Sequence, residues 1–410
     1  MRSWPSPYLP PAPTGISHPD LKLIDSYTGG FIELSTGEIS TYVCGITPYD
    51  ATHLGHASTY LAFDLVHRYL VASGSSLNFV ENITDIDDPL LERAARDSQA
   101  WSELAENQIE LFRADMTALR VISPDSYRGV VESMPGIIED IQSLVNKGIT
   151  YEIQGDIYLA LGDVPGAIEK LPMSLSAAIE IFAERGGDPS RIGKKHPLDT
   201  LLWQSRKGNE PYWQSPFGDG RPGWHIECVS IATRNSPAKL NTCISLQGGG
   251  SDLIFPHHYM TNVQARALTG KEFAAGYVHA GMIGLDGEKM SKSRGNLVFV
   301  SKLLESGLDP MIIRTALMQR HYQSDTMWTT DLVDSANAVI SRIRQNLARE
   351  LVAPTHDSIT EIVNALSDNL DTVRVFTTIE SWCAATEAGD TGGSAGEMSR
   401  ALDLYLGLTL

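Results

Sequence analysis

Between Ile39 and Val80 the chain spells a strand, a breaker-rich loop, an amphipathic helix and a second strand, and that order leaves little choice of architecture. Ile39–Cys44 is a β-branched and aromatic run of the kind that forms a buried strand. It ends in Gly45-Ile46-Thr47-Pro48-Tyr49-Asp50, and from about Ala57 to Ala72 the residues Leu61, Leu65 and Tyr69 recur on one helical face. Gly74 punctuates the helix, and Leu77–Val80 is apolar again. Two strands joined through a helix cannot pair as a hairpin; they lie parallel, through a right-handed crossover. The expected fold class is α/β, with a Rossmann-like parallel sheet at its centre.

The remaining pattern divides the chain into four segments. Residues 1–150 hold the first half of the sheet unit, opening on a Pro-rich extended lead-in and ending in a helical stretch from about 90. Residues 151–215 break into short strands and Gly/Pro loops, including Glu184-Arg185-Gly186-Gly187-Asp188-Pro189, which reads as an inserted subdomain. Strand character returns at Cys243–Leu246 and Tyr277–Ile283, each followed by a glycine-rich turn, so 216–300 is expected to complete the sheet. Residues 301–410 read as a helical C-terminal bundle with a Gly/Ser/Thr linker at 389–396.

Charge and cysteine usage narrow the function. Fifty acids against 32 bases give −18, and residues 331–410 hold five Arg, no Lys and twelve Asp plus Glu. A nucleic-acid-binding appendage needs the opposite sign; a bundle covering the core does not. Cys44, Cys228, Cys243 and Cys383 stand far apart with no CxxC, which is no secreted disulfide framework. There is no run of 18 apolar residues, and Met1 to Gly15 carries five prolines and one Arg rather than a leader pattern. A cytoplasmic enzyme is expected, without membrane or nucleic-acid partners.

Two short elements carry phosphate chemistry. His53-Leu54-Gly55-His56 follows the first strand, where two imidazoles at a helix start can hydrogen-bond phosphate oxygens and the helix N-terminus favours anions. Lys289-Met290-Ser291-Lys292-Ser293 lies on a loop bordered by Gly284, Gly287 and Gly295, where two lysines can neutralise a triphosphate. Alone, each is matched by a bland surface explanation. Together, HxGH after the first strand and KMSKS about 235 residues later resemble the paired signatures of class I aminoacyl-tRNA synthetases. The resemblance implies that sheet type, ATP binding and an aminoacyl adenylate, with His53, His56, Lys289 and Lys292 as the catalytic phosphate-holding groups.

The words between them are similar to cysteinyl-tRNA synthetase: Cys-Gly and Tyr-Asp ahead of HxGH, Asn82 to Asp88, Gly223-Trp224-His225-Ile226-Glu227-Cys228, and Gly248 to His258. By spacing alone the cysteines and histidines are no zinc signature. The resemblance implies zinc ligands at Cys44, Cys228 and His257, one Zn²⁺ per chain, and Thr261 standing where that family has a fourth ligand, Glu. An open tetrahedral corner then suits a substrate thiolate. It further implies an adenylate site formed by Cys44, Gly45, Ile46, Thr47, Thr59, Asn82, Ile83, Thr84, Trp224, Gly250, Ser251, Asp252 and Ile283, with Mg²⁺ accompanying ATP.

Departures point to a small-molecule relative. Pro89 follows Asp87-Asp88, Ile46-Thr47-Pro48 fills the Cys-Gly…Tyr-Asp loop, and only 117 residues follow Ser293, the last eighty of them acidic on balance. The segments CGITPYDATHLGHA and AERGGDP resemble the mycothiol-pathway cysteine ligases, which implies transfer of cysteine from cysteinyl-AMP to the amine of glucosaminyl-inositol; a monomer is expected, and the residues leave the oligomeric state open. Cysteinyl-tRNA synthetase is the alternative, and an inactive zinc- or nucleotide-binding paralogue a third. The residues leave open which group deprotonates the amine, where the inositol binds, and what Glu184 to Pro189 does.

Overall fold

The computed structural model of the 410-residue chain describes all residues except 51, 238–240, 286 and 291–294, together with the side chain of Lys289. Its centre is a five-stranded parallel sheet built from β3 (Glu38–Val43), β4 (Ser76–Ile83), β5 (Ser126–Gly129), β10 (Ile244–Gly250) and β11 (Ala274–Ala280), after a short antiparallel pair β1 (Leu21–Ile24) and β2 (Phe31–Leu34). The order across the sheet is β11-β10-β3-β4-β5, every pair parallel. The chain thus reverses its direction of winding between β3 and β10, and ligands of such sheets bind outside the strand carboxyl ends at that point.

The crossover from β3 to β4 is α1 (Leu54–Ala72), and it is longer and more buried than its pattern suggests. One face packs on β4, β10 and β11, the other on α9 (Pro310–Met318), α11 (His356–Ser367) and α13 (Ala395–Leu406). A helix buried on both sides cannot show a clean amphipathic stripe. The C-terminal helices therefore cover the sheet unit from this side, with α10 (Thr330–Leu347) and α12 (Thr372–Glu387) completing the bundle. On the opposite face α4 (Val130–Asn146), α6 (Trp224–Asn235) and α7 (Tyr259–Thr269) pack against one another.

Three local features differ from the sequence pattern, each for a physical reason. The helical stretch after 90 is two helices, α2 (Asp88–Arg96) and α3 (Trp101–Ala118), then β5 before α4 begins. As a four-residue edge strand with one aromatic, Tyr127, β5 is too short to show a period. Strand β10 runs on through Gly248, Gly249 and Gly250 instead of turning there. Its glycines admit neighbours: a Cβ on Gly248 would lie 2.3 Å from the Phe63 ring, and one on Gly249 2.8 Å from His258. The inserted sheet, order β6-β7-β8-β9, is antiparallel and extends past 215, since β6 is Thr150–Ile153, β7 Asp156–Leu159, β8 Thr200–Ser205 and β9 Gly220–Pro222.

The bundle is fastened by a buried ion triad. Asp64 on α1 accepts from Arg68 Nε at 2.6 Å and from Arg314 on α9, and all three side chains are fully buried. Burial alone would raise the Asp64 carboxyl, but Arg314, then Arg68, and the Ile122 amide hold it below its usual range. The guanidiniums also donate to the carbonyls of Leu119, Arg120 and Asp403, so α1, the α3 terminus and α13 share one network. Removing its anion strands two buried cations. Asp64→Asn is expected to cost about 3–5 kcal/mol in urea unfolding, while Arg342→Gln, which breaks an exposed, solvent-screened pair with Glu387, should cost far less. Equal effects would contradict the triad's role.

Candidate active site and metal centre

The crevice lies where β3 and β10 end. The Cys44 amide donates to Gly248 O at 3.2 Å, which carries the β3–β10 ladder one residue further. Asn82, at the end of β4, stitches the neighbouring strand: its Oδ1 accepts from Tyr42 OH at 2.8 Å and Gly45 N at 2.9 Å, and its Nδ2 donates to Thr84 Oγ1 at 3.1 Å. The Thr84 amide in turn donates to Ile46 O at 3.0 Å. Gly45 is required by this stitching, since a Cβ there would meet Asn82 O at 1.6 Å.

A cavity of about 310 Å³ opens at this point. Its wall includes Cys44, Gly45, Ile46, Thr47, His53, His56, Thr59, Trp224, Gly250, Asp252 and Ile283 from the sequence expectation, and Tyr49, Tyr60, Met282 and Met290 besides. Asn82, Ile83 and Thr84 stand behind the wall as buried support, and Ser251 does not line it. Lys292 and the side chain of Lys289 lie outside the described residues. The flank of that loop is nevertheless fastened to the HxGH turn, because Leu54 N donates to Val298 O at 2.9 Å and Val300 N to Thr52 O at 3.0 Å.

His53 is the N-cap of α1. Its Nδ1 accepts from the amides of Gly55 at 3.1 Å and His56 at 3.4 Å. That role makes Nδ1 the unprotonated nitrogen and leaves the ring proton on Nε2. The His56 ring stacks on it, centroids 3.7 Å apart. The crevice therefore presents two parallel imidazoles and the positive end of a 19-residue helix, an arrangement suited to phosphate oxygens.

Beneath the cavity sits a buried cluster of thiols and imidazoles. Cys44 Sγ is 3.2 Å from His258 Nε2, and Cys228 Sγ is 3.3 Å from His257 Nε2. Donor atoms of Cys44, His257 and His258 all lie within 4.8 Å of one another. The cluster comes from three elements: Cys44 from the end of β3, Cys228 from α6, and the histidine pair from the kinked segment that leads into α7. Second partners orient the imidazoles, His225 Nδ1 at 2.9 Å from His257 Nδ1, and His279 Nε2 at 2.7 Å from His258 Nδ1. Trp224 stacks on His257 with centroids 4.0 Å apart, and Trp224 and Cys44 both line the cavity.

The electrostatics suit a soft divalent cation. Burial lowers both His257 and His258, so each imidazole is neutral and can act as a ligand. The hydrogen bond with Cys44, then burial, hold the Cys228 thiol well above its usual value; a cation would reverse that by stabilising the thiolate. Two sulfurs and neutral nitrogens are a zinc-type donor set. Thr261 is not part of it, for its Oγ1 donates to His258 O at 2.8 Å within its own helix.

The structure thus groups Cys44 and His257 with His258, which the family pattern did not assign; Cys228, which it did, stands outside that group of three and meets it through His257 Nε2 and the Cys44 thiol. The second member of a His-His pair was visible in the sequence; that it meets Cys44 follows only from the strand order. His225 and His279 carried no sequence signal of their own.

The model of the tRNA synthetases class I (C) catalytic domain matches residues 31–338. Curated relatives run the whole length: the L-cysteine:1D-myo-inositol 2-amino-2-deoxy-alpha-D-glucopyranoside ligases of Nakamurella multipartita, 49% identical, and Streptomyces griseus, 47% identical, each match 100% of this chain and 100% of their own. Among solved structures, methionyl-tRNA synthetase of Mycobacterium tuberculosis in complex with methionyl-adenylate aligns with TM-score 0.63 at 16% identity, over 90% of this chain and 89% of its own. Leucyl-tRNA synthetase of Agrobacterium radiobacter K84 aligns with TM-score 0.65 at 10% identity, over 91% and 84%. The fold is that of the class I synthetases.

The Asn82 stitching makes a direct prediction. Gly45→Ala forces the ends of β3 and β4 apart and is expected to lower stability by about 1–3 kcal/mol. Gly162→Ala, where a Cβ meets nothing within 4 Å, should be near neutral. Denaturant midpoints compare the two, and a harmless Gly45→Ala would contradict the tight approach.

Proposed function

The chain belongs to the family of L-cysteine:1D-myo-inositol 2-amino-2-deoxy-alpha-D-glucopyranoside ligases, and from that membership we propose that it activates L-cysteine with ATP and joins it to the amine of glucosaminyl-inositol in mycothiol biosynthesis. The products are the cysteinyl amide, AMP and pyrophosphate. The observation that carries the reading is one crevice holding both a helix start with stacked imidazoles and a buried thiol–imidazole cluster. The class I synthetases are its relatives by fold and catalytic domain; the full-length relatives at 45–49% identity are ligases.

In the first step the cysteine carboxylate attacks the α-phosphorus of ATP, an O–P bond forms and pyrophosphate leaves. His53 Nε2 and His56 hold phosphate oxygens, and the α1 N-terminus stabilises the charge that develops there. Lys289 and Lys292 serve the departing pyrophosphate, with Mg²⁺ carried by ATP. Gly45 to Thr47, Thr59, Gly250 to Asp252 and Ile283 cradle the adenylate, held in register by Asn82 and Thr84 behind them. In the second step the sugar amine attacks the carbonyl of cysteinyl-AMP and AMP leaves. Catalysis on this account is positioning and electrostatics rather than covalent chemistry.

Cys44, Cys228 and His257, with His258 adjoining, would hold one Zn²⁺ per chain. Zinc supplies a coordination position for the substrate thiolate, which serine's less acidic hydroxyl cannot fill. Trp224 closes over that position and excludes water. In this reading the two halves of the catalytic unit flank an insertion whose sheet runs on to Pro222, and 301–410 is their cover, in a monomeric cytoplasmic enzyme. Among the described residues no helix is long and apolar enough to cross a membrane.

The acceptor tests the proposal. A tRNA brings many phosphates, and its binding falls steeply with salt; an uncharged inositol carrying an amino sugar needs only a local pocket. With ATP and cysteine, glucosaminyl-inositol is expected to be cysteinylated on its amine at rates nearly independent of salt, and cysteine tRNA to remain uncharged. Robust tRNA charging without amide product would transfer the assignment to cysteinyl-tRNA synthetase.

A further inference from the structure

A second and larger cavity, of about 750 Å³, adjoins the adenylate crevice. It opens between the inserted sheet, the Glu184-to-Pro189 loop and the start of α2, and its size falls within the range of about 300–1,000 Å³ that small-molecule sites occupy. Thr47, Tyr49 and Trp224 line both cavities. A molecule in the larger one therefore lies against residues that also line the adenylate crevice. Nothing in adenylate formation uses this space.

The lining mixes both signs of charge. Most of its charged groups are already satisfied: Arg221 pairs with Asp88, Arg191 with Asp156 at 2.5 Å, and Asp188 with Lys194 at 2.8 Å. Asp87 differs. Its described hydrogen bond is the helix cap from the Asp88 amide, at 2.8 Å. Burial is the main influence on its carboxyl and raises it to about 6, where a carboxylate can take up a proton near neutrality.

Two further wall residues carry orphaned atoms. Gln204 and Arg221 are 7% and 6% exposed, and Gln204 Oε1 and Arg221 Nε are buried without a hydrogen-bond partner. Such groups are rare in folded proteins and need a missing partner to explain them. The cavity is also coupled to the adenylate side. Arg185, on its rim, donates to the carbonyls of Asp252 and Phe255, which belong to the cradle and to the histidine-bearing kink.

We propose that this cavity is the acceptor subsite, taking a polyol with one primary amine, with Asp87 holding the amine and Gln204 and Arg221 meeting ring hydroxyls. The assignment rests on the ligase reading above and names its acceptor site. Hydroxyls both donate and accept, which suits a wall where Asp87, Asp88 and Asp188 stand beside Arg185, Arg191, Lys207 and Arg221. The amine nitrogen reaches the adenylate past Thr47 and Trp224 and forms the C–N bond with its lone pair. The anhydride C–O bond breaks, AMP leaves with that bonding pair, and the proton shed by nitrogen passes to Asp87.

The full-length variants Asp87→Asn and Gln204→Leu test this with two assays, cysteine-dependent ATP–pyrophosphate exchange without acceptor, and amide formation against glucosaminyl-inositol concentration. Asparagine retains the helix cap. Exchange should stay within about threefold of the parent. Amide kcat/KM should fall on the order of 10²-fold for Asp87→Asn, and the acceptor KM should rise roughly tenfold for Gln204→Leu. Parallel loss of both activities would make the residues merely structural and overturn the proposal, as would unchanged acceptor kinetics. Parent protein that exchanges yet forms no amide would overturn the ligase reading, and the subsite with it.

Discussion

Parallel pairing of β3 with β10 is the interaction on which the site depends. Residues some 205 apart in sequence are brought side by side by the register Leu246↔Thr41, Gln247↔Tyr42 and Gly248↔Val43. One ladder bond beyond it, from Cys44 N to Gly248 O, fixes the thiol at the point where the winding of the sheet reverses. A one-residue slip would send Cys44 to the other face of the sheet. Cys228, His257 and His258 would then face a wall with no sulfur.

The other parts of the molecule hold this junction in place. The C-terminal helices bury the outer face of α1, and the Asp64–Arg68–Arg314 triad keys them to it. The acidic bundle is thus joined to the core through buried charge pairs. The insertion works from the opposite side. Its Arg185 reaches the Asp252 and Phe255 carbonyls, so the loop Glu184 to Pro189 braces the wall of the crevice and the histidine-bearing kink together while forming the rim of the larger cavity.

Local geometry was legible in sequence where a short word sets it whole. HxGH sets a helix cap through local backbone contacts, and its two imidazoles stack as the spacing suggests. Cys44, Cys228 and His257 were legible only through family resemblance, because their spacing has no zinc period. What could not be read depends on which strands are neighbours. His258 meets Cys44, and His279 supports His258, only because β11, β10 and β3 lie in that order. The glycines of β10 read as a turn because sequence patterns treat glycine as a breaker, whereas here they make room for Phe63 and His258. The large cavity had no signature, since its walls come from three separated segments.

Selection of cysteine by a thiol-accepting metal position at this junction is the central claim. Zinc-edge X-ray absorption on the purified protein measures it directly, by counting sulfur neighbours with and without amino acid. Two sulfurs at about 2.3 Å are expected in the protein alone, three when cysteine is added, and two when serine is added. A sulfur count that does not change with cysteine, or cysteine-selective ATP–pyrophosphate exchange by protein stripped of metal, would contradict the account.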